Sequence, residues 1–431
     1  MRIAIVGTGV AGLVCAHRLH RDHEITVYEA DDRVGGHAHT AQVELDGETH
    51  PVDTGFIVHN DRNYPRFEAL LDELGIATRP SRMSFSVSDD AGRFEYSGSP
   101  RGLLAQPARL VDPRFVRMVA DLLRFNRELG RLAATSPASS PTLRELLADG
   151  DYSDWFVERL IVPQVSAVWS ADPNRLWSFP AAFMATFFAS HGMLGFGDRP
   201  RWRTIAGGSQ RYVEALTRPF AERIRTSAPV RRIARLPHCV TVAADGCGVE
   251  PYDEVVIATH SDQALALLAD PTPLERELLG AIRYQRNEAV LHTDSSLLPR
   301  RRWARASWNY HLGDLAADHC PSAPGLPRLT YWMNSLQAIR SRTDVCVTLN
   351  RTDAIDPHEI IERVSYSHPV FTPEGVAAHA RHAEISGVER THYSGAYWGW
   401  GFHEDGVVSA LRALERVGAS AALGAPQELA A

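Results

Sequence analysis

A short apolar run, Arg2-Ile3-Ala4-Ile5-Val6, delivers the chain into Gly7-Thr8-Gly9-Val10-Ala11-Gly12, and a second run, Ile25-Thr26-Val27-Tyr28, ends in Glu29. Strand, glycine turn, helix, strand and terminal acid in this order predict a parallel β-α-β unit that binds a dinucleotide. Gly7 permits the tight turn, Gly9 lets the backbone approach a pyrophosphate, and Gly12 lets a helix over 10–20 pack closely on the strand. Ala11 lies in the first turn of that helix, whose positive end faces the phosphates. Glu29 follows Gly12 by 17 residues, near the spacing of the acid that accepts a hydrogen bond from a ribose hydroxyl.

The next residues choose among dinucleotides. Glu29-Ala30-Asp31-Asp32-Arg33-Val34-Gly35-Gly36 resembles the E-x-x-x-R-x-G-G element of flavin-containing amine oxidases, phytoene desaturases and protoporphyrinogen oxidases. The resemblance implies non-covalent FAD, with Glu29, Ala30, Arg33, Gly35 and Gly36 in its site. A second arginine is usual after the glycine pair; this chain has His37, which takes that place in the expected cofactor set.

Composition bounds the rest. A chain of 431 residues, 44% hydrophobic, is long enough for two domains with a sizeable core. The net charge of −7 argues against general nucleic-acid binding. Cys15, Cys239, Cys247, Cys320 and Cys346 form no C-x-x-C pair, and His37 and His39 lie in no wider ligand cluster, so no disulfide framework or metal site is expected. A reducing cytoplasm fits, with no secretory pattern at the start and no apolar stretch near the roughly 20 residues that span a bilayer. All 45 basic residues are arginine. Lysine Schiff-base chemistry is therefore excluded, and so is the lysine that holds a water near the flavin in many members of the resembling superfamily.

The fold class expected is α/β (α+β overall), a Rossmann-type FAD-binding domain interleaved with a substrate domain of antiparallel sheet plus helices. Cofactor signals over 1–80, 201–265 and 385–420 bracket substrate segments at 81–200 and 266–384, and 421–431 reads as a flexible tail. By resemblance, Pro51 to Val58, with Gly55, Phe56 and Ile57, passes beside the flavin, and Val230 meets the adenine through its backbone. Apolar positions from Phe115 to Leu129 recur at helical spacing, with arginines mainly on the other side. That helix reads either as a solvated face or as a peripheral membrane contact. Runs at 288–292, 303–310, 329–333 and 345–349 suggest antiparallel strands.

Gly395-Ala396-Tyr397-Trp398-Gly399-Trp400-Gly401-Phe402-His403-Glu404-Asp405-Gly406-Val407 resembles the closing FAD motif, placing Gly395, Phe402, Asp405, Gly406 and Val407 at the cofactor. The family's acid after the first glycine is Ala396 here. Tyr397, Trp398 and Trp400, with Trp308, Tyr331 and Trp332, are candidate substrate-cavity walls or ordinary core. His403 is the candidate base and Glu404 its rival; either could instead cap the helix or bind the cofactor.

The phrases Pro51 to Val58, Ala306 to Tyr310, Tyr331 to Asn334 and Gly401 to Gly406 also resemble a bacterial amine-oxidase-like subgroup associated with cyclopropane-fatty-acid synthase-like proteins. This implies an FAD-dependent dehydrogenase, desaturase or oxidase taking two hydrogens from an apolar, modified fatty acyl lipid. With a single dinucleotide fingerprint, oxygen or a separate electron acceptor would reoxidise the flavin. An amine or amino-acid oxidase and a non-redox or isomerising flavoprotein are the alternatives.

Overall fold

The computed structural model describes residues 1–134, 140–195, 197, 199–313 and 326–417; residues 421–431, expected as a tail, lie outside these. Strands Arg2–Val6 and Glu24–Tyr28 form the centre of a five-stranded parallel sheet. Its order is Ile224–Arg225, Glu24–Tyr28, Arg2–Val6, Glu254–Ile257, Thr391–Tyr393. Ile3, Ala4, Ile5 and Val27 have no exposed surface, as expected of strands covered on both faces. Helix Val10–Leu19 packs against helix His403–Val417. A three-stranded antiparallel sheet, Val230–Arg235, Val240–Ala244 and Gly248–Tyr252, stands beside them.

The second layer is a seven-stranded sheet ordered Ile360–Val370, Arg283–His292, Cys346–Leu349, Leu329–Trp332, Trp308–His311, Phe85–Ser88, Glu95–Ser97. It is antiparallel except where Trp308–His311 meets Phe85–Ser88. Strands from both inserts therefore share one sheet. Helices Pro113–Leu132, Val162–Trp169 and Ala181–Ser190 cover one face, burying Phe115, Phe125, Phe183 and Phe187 with Tyr310 and Tyr331.

One strand expectation changes, and one strand was not foreseen. Trp303 is 58% exposed and outside any strand, the strand beginning only at Trp308. Ile360–Val370, the longest strand among the described residues, carries Pro369 and the adjacent charges Glu362 and Arg363, which mask a strand in the sequence. It lies at the sheet edge, where a proline leaves no ladder bond unmade.

Candidate functional site

The N-terminal turn is built by backbone geometry. Gly7 has φ +101°, in the region that favours glycine. A Cβ on Gly12 would lie 2.0 Å from the Gly7 carbonyl oxygen, so only glycine lets helix and turn approach this closely. A Cβ on Gly9 would meet nothing within 4 Å, because that edge borders an open cleft, while Gly36 packs its Cα side against Gly9. Gly35 N donates to the Thr8 carbonyl at 3.1 Å, and the Arg33 guanidinium donates to the Gly36 carbonyl at 3.0 Å. The Glu29 carboxylate accepts from Thr8 N at 3.0 Å, from the Thr8 hydroxyl, and from Asp31 N at 2.9 Å. Ala228 N donates to the Glu29 carbonyl at 2.9 Å, which brings Val230 to the same end of the cleft as Glu29 and Ala30.

The closing segment approaches from the other side. A Cβ on Gly406 would lie 2.6 Å from Val10 Cγ1, so helices Val10–Leu19 and His403–Val417 touch at their N-terminal ends. Two positive helix ends thus share one region. Ala11 and Val407 are buried at this contact. Gly395 is anchored by the Ser409 hydroxyl, which accepts from its N–H at 2.8 Å. Gly55 and Phe56 pass beside the glycine pair, Phe56 N donating to the His37 carbonyl at 2.9 Å; Ile57 is buried, and its carbonyl accepts from the Thr204 hydroxyl.

His403 and Glu404 are engaged elsewhere. The His403 ring stacks on Phe56 at 3.5 Å between centroids, meets Phe67 edge-on, and shares a 2.9 Å hydrogen bond with the Tyr212 hydroxyl. Burial pushes its pKa down to about 3. Glu404 accepts from Arg66 N at 3.0 Å and Phe67 N at 2.9 Å, so it caps helix Pro65–Glu73. Burial nonetheless raises it to about 7. Asp405 accepts from Phe402 N at 2.9 Å and is raised to about 6 by burial.

The aromatic candidates divide. Trp400 and Phe402 pack on helix Ala181–Ser190, with Phe402 stacked on Phe187 at 5.3 Å. A cavity of about 220 Å³ lies here, lined by Phe183, Thr186, Gly399, Trp400 and Asp405. Tyr397 and Trp398 instead belong to the core beneath the five-stranded sheet, and their hydroxyl and indole N–H are buried without a partner. The single turn Ala396–Trp398 sends the two groups to different cores. Trp308 and Tyr331 meet edge-on at 5.1 Å on the helix-covered face. Trp332 does not join them: it donates to Asp344 at 2.9 Å, because successive strand residues point to opposite faces.

Sequence reasoning missed a polar cluster around His37. Its ring stacks on Tyr366 at 4.8 Å, with His368 at 5.5 Å and His260 at 6.1 Å. Asn287 Nδ2 donates to the Ser170 carbonyl at 3.0 Å and to His368 Nδ1 at 2.9 Å. The carbonyl can only accept, so the Asn287 amide orientation is set and His368 Nδ1 is an acceptor. A neutral His368 therefore carries its proton on Nε2. Burial holds His368 near 4 and His37 well below the ordinary histidine value. Tyr366-Ser367-His368-Pro369 was the available signal, but it lies in the strand that Pro369 disguised. Among the described residues no group of three or more ligand side chains could hold a metal.

Residues 10–305 match the family model of flavin containing amine oxidoreductase. The chain belongs to that family. FAD is the family's cofactor, and the cleft fits it: an open edge at Gly9, close backbone at Gly36, and two converging helix N-termini. Amine oxidoreductase relatives include the protein named flavin-containing monoamine oxidase AofH of Mycobacterium tuberculosis, 27% identical over 291 residues, 64% of this chain and 60% of that one. Flavin-dependent L-tryptophan oxidase RebO of Lentzea aerocolonigenes is 26% identical over 272 residues, 58% and 55% of the two chains. The chain thus spans about 60% of the first relative's length. Cyclohexylamine oxidase from Brevibacterium oxydans IH-35A shares the fold with a TM-score of 0.70 at 17% identity, over 97% of this chain and 99% of that one. A CLA-producing fatty acid isomerase from P. acnes does so with 0.65 at 18%, over 96% and 98%.

Proposed function

We propose that the protein is an FAD-dependent oxidoreductase that removes two hydrogens from an apolar substrate, best matched by a modified fatty acyl chain. Segments 1–80, 201–265 and 385–420 hold the cofactor, and 81–200 and 266–384 enclose the substrate. Bound FAD supplies the two-electron acceptor, which oxygen or a separate carrier restores. Gly9, Gly12 and Gly36 bring backbone to its pyrophosphate, Glu29 and Val230 its ribose and adenine end.

The observation that carries the substrate reading is the aromatic wall at the closing segment, where Phe183 and Trp400 line a cavity and Phe187 and Phe402 pack beside them. Such a wall excludes water and holds an extended apolar chain. His368, with Nδ1 occupied, offers Nε2–H as a hydrogen-bond donor and orients a carbonyl or carboxylate without adding charge. His403 and Glu404 hold helices together and exchange no proton with substrate.

Asp405 on the cavity favours a second reading, oxidation of an amine or amino acid, since a buried carboxylate among aromatic rings suits an ammonium group. The names of the relatives support this reading equally. Anaerobic titration of the flavin-loaded protein against acyl lipids and amines separates the two. Bleaching of the flavin absorbance by an acyl lipid is the expected result; bleaching by amines alone transfers the assignment, and a flavin reduced by neither points to an isomerising or non-redox role.

A further inference from the structure

One surface of the substrate layer is apolar without a partner. The turn Pro107–Val111 has no buried side chain, although its sequence is Pro-Ala-Arg-Leu-Val. Val111 is 82% exposed and Leu110 44%. On the following helix, Pro113–Leu132, Val116 is 52% and Leu123 40% exposed. Val116, Ala120, Leu123 and Arg127 are spaced i, i+4, i+7, i+11, a single line along the outer face. Isolated exposed aliphatics are ordinary; a continuous row marks an interaction site.

The charge beside this row selects the occupant. Arg114, Arg117 and Arg124 flank it, paired to Asp112 and Asp121. Arg127 and Arg131 extend it, exposed and with no acidic partner among the described residues. The apolar groups are small aliphatics rather than the Trp and Tyr anchors that dominate protein interfaces. Aliphatic area rimmed by arginine is instead the pattern of a helix lying in an anionic lipid interface. The helix is also next to the proposed substrate cavity: the Ala133 carbonyl at its end accepts from the Thr186 hydroxyl at 3.4 Å, and Thr186 lines that cavity.

We propose that the face formed by Leu110, Val111, Val116 and Leu123, with Arg127 and Arg131, docks on an anionic bilayer surface. It goes beyond the oxidoreductase reading, and it holds whichever substrate is correct. The test is co-sedimentation of the flavin-loaded full chain with phosphatidylcholine vesicles, with and without one-third phosphatidylglycerol. Binding to the anionic vesicles is expected, weakening with salt. The triple variant Val111→Asp, Val116→Asp, Leu123→Asp should lose at least about tenfold of it while keeping the wild-type flavin spectrum, since none of the three side chains belongs to a buried core cluster. Equal binding of variant and wild type, or no binding of the wild type to anionic vesicles, overturns the proposal. So does a dimer that the triple variant splits when no vesicle binding is seen, which would make the face a protein interface. Vesicle binding without flavin bleaching by acyl lipids leaves the docking intact and sinks only the acyl reading.

Discussion

Two glycine-rich segments turn into helices at the same cleft, and they use their residues in opposite ways. In 7–12 the work is done by backbone: removing side chains is what lets Gly7 and Gly12 shape the turn, and it leaves the edge at Gly9 open. In 395–406 polar side chains look chemically available, but His403 and Glu404 turn inward and tie neighbouring elements together, while Asp405 accepts from Phe402 N within its own segment and lines the cavity. A reactive residue type at a helix start is therefore weak evidence for catalysis until its partners are known, whereas a glycine forced by a 2.0 Å approach has one explanation.

The sharpest test of the first segment is Gly12→Val. Its Cβ has no room against Gly7, so a loss of about 3 kcal/mol or more is expected, with flavin lost on purification. Urea unfolding and flavin content check it; a stable, flavin-loaded variant would break the comparison on this side.

For the second segment, His403→Phe keeps the stacking volume and removes the titration. The folded ring is neutral down to about pH 3, while a free histidine takes a proton near 6.5. The unfolded chain therefore binds the extra proton between these values, so the stability from this group is present above pH 6.5 and is lost as pH falls toward 3. About 2 kcal/mol should disappear between pH 7 and 5 in the wild type and be missing from the pH dependence of the variant. Buried His59, His191, His292, His368 and His379, all held near 4, and His37, held well below the ordinary value, leave a residual slope in both proteins. Denaturant titrations at the two pH values read this directly, and an unchanged slope would remove His403 as the neutral structural group described here.

Glu404→Gln should be the mildest, costing about 1 kcal/mol as the cap of helix Pro65–Glu73 weakens. Turnover per bound flavin should stay near wild type. A large fall in turnover at unchanged melting temperature would restore Glu404 as a proton-transfer group and erase the contrast between the segments.

The legible part of the site is the part made by contiguous residues. Gly7 to Gly12, Glu29 and Gly35-Gly36 act through local backbone conformation and steric exclusion, which depend on near neighbours in the chain. The apolar strands Arg2–Val6 and Glu24–Tyr28 announced a buried parallel sheet for the same reason. The strand Ile360–Val370 was hidden because its edge position, not its pattern, makes Pro369 acceptable.

What the chain's sequence determined by itself is the dinucleotide turn, the flavin-type glycine pair and the buried parallel strands Arg2–Val6 and Glu24–Tyr28, because each depends on short-range periodicity and on where a side chain cannot fit. Only the tertiary structure decided that His403 stacks on Phe56, that Glu404 caps a helix beginning at Pro65, and that Tyr331 and Trp332 face opposite ways. It also assembled His37, His260, Asn287 and His368 from separate segments of the chain. Protonation and hydrogen-bonding roles depend on which groups lie within a few ångströms, and that distance is set by packing between residues hundreds of positions apart.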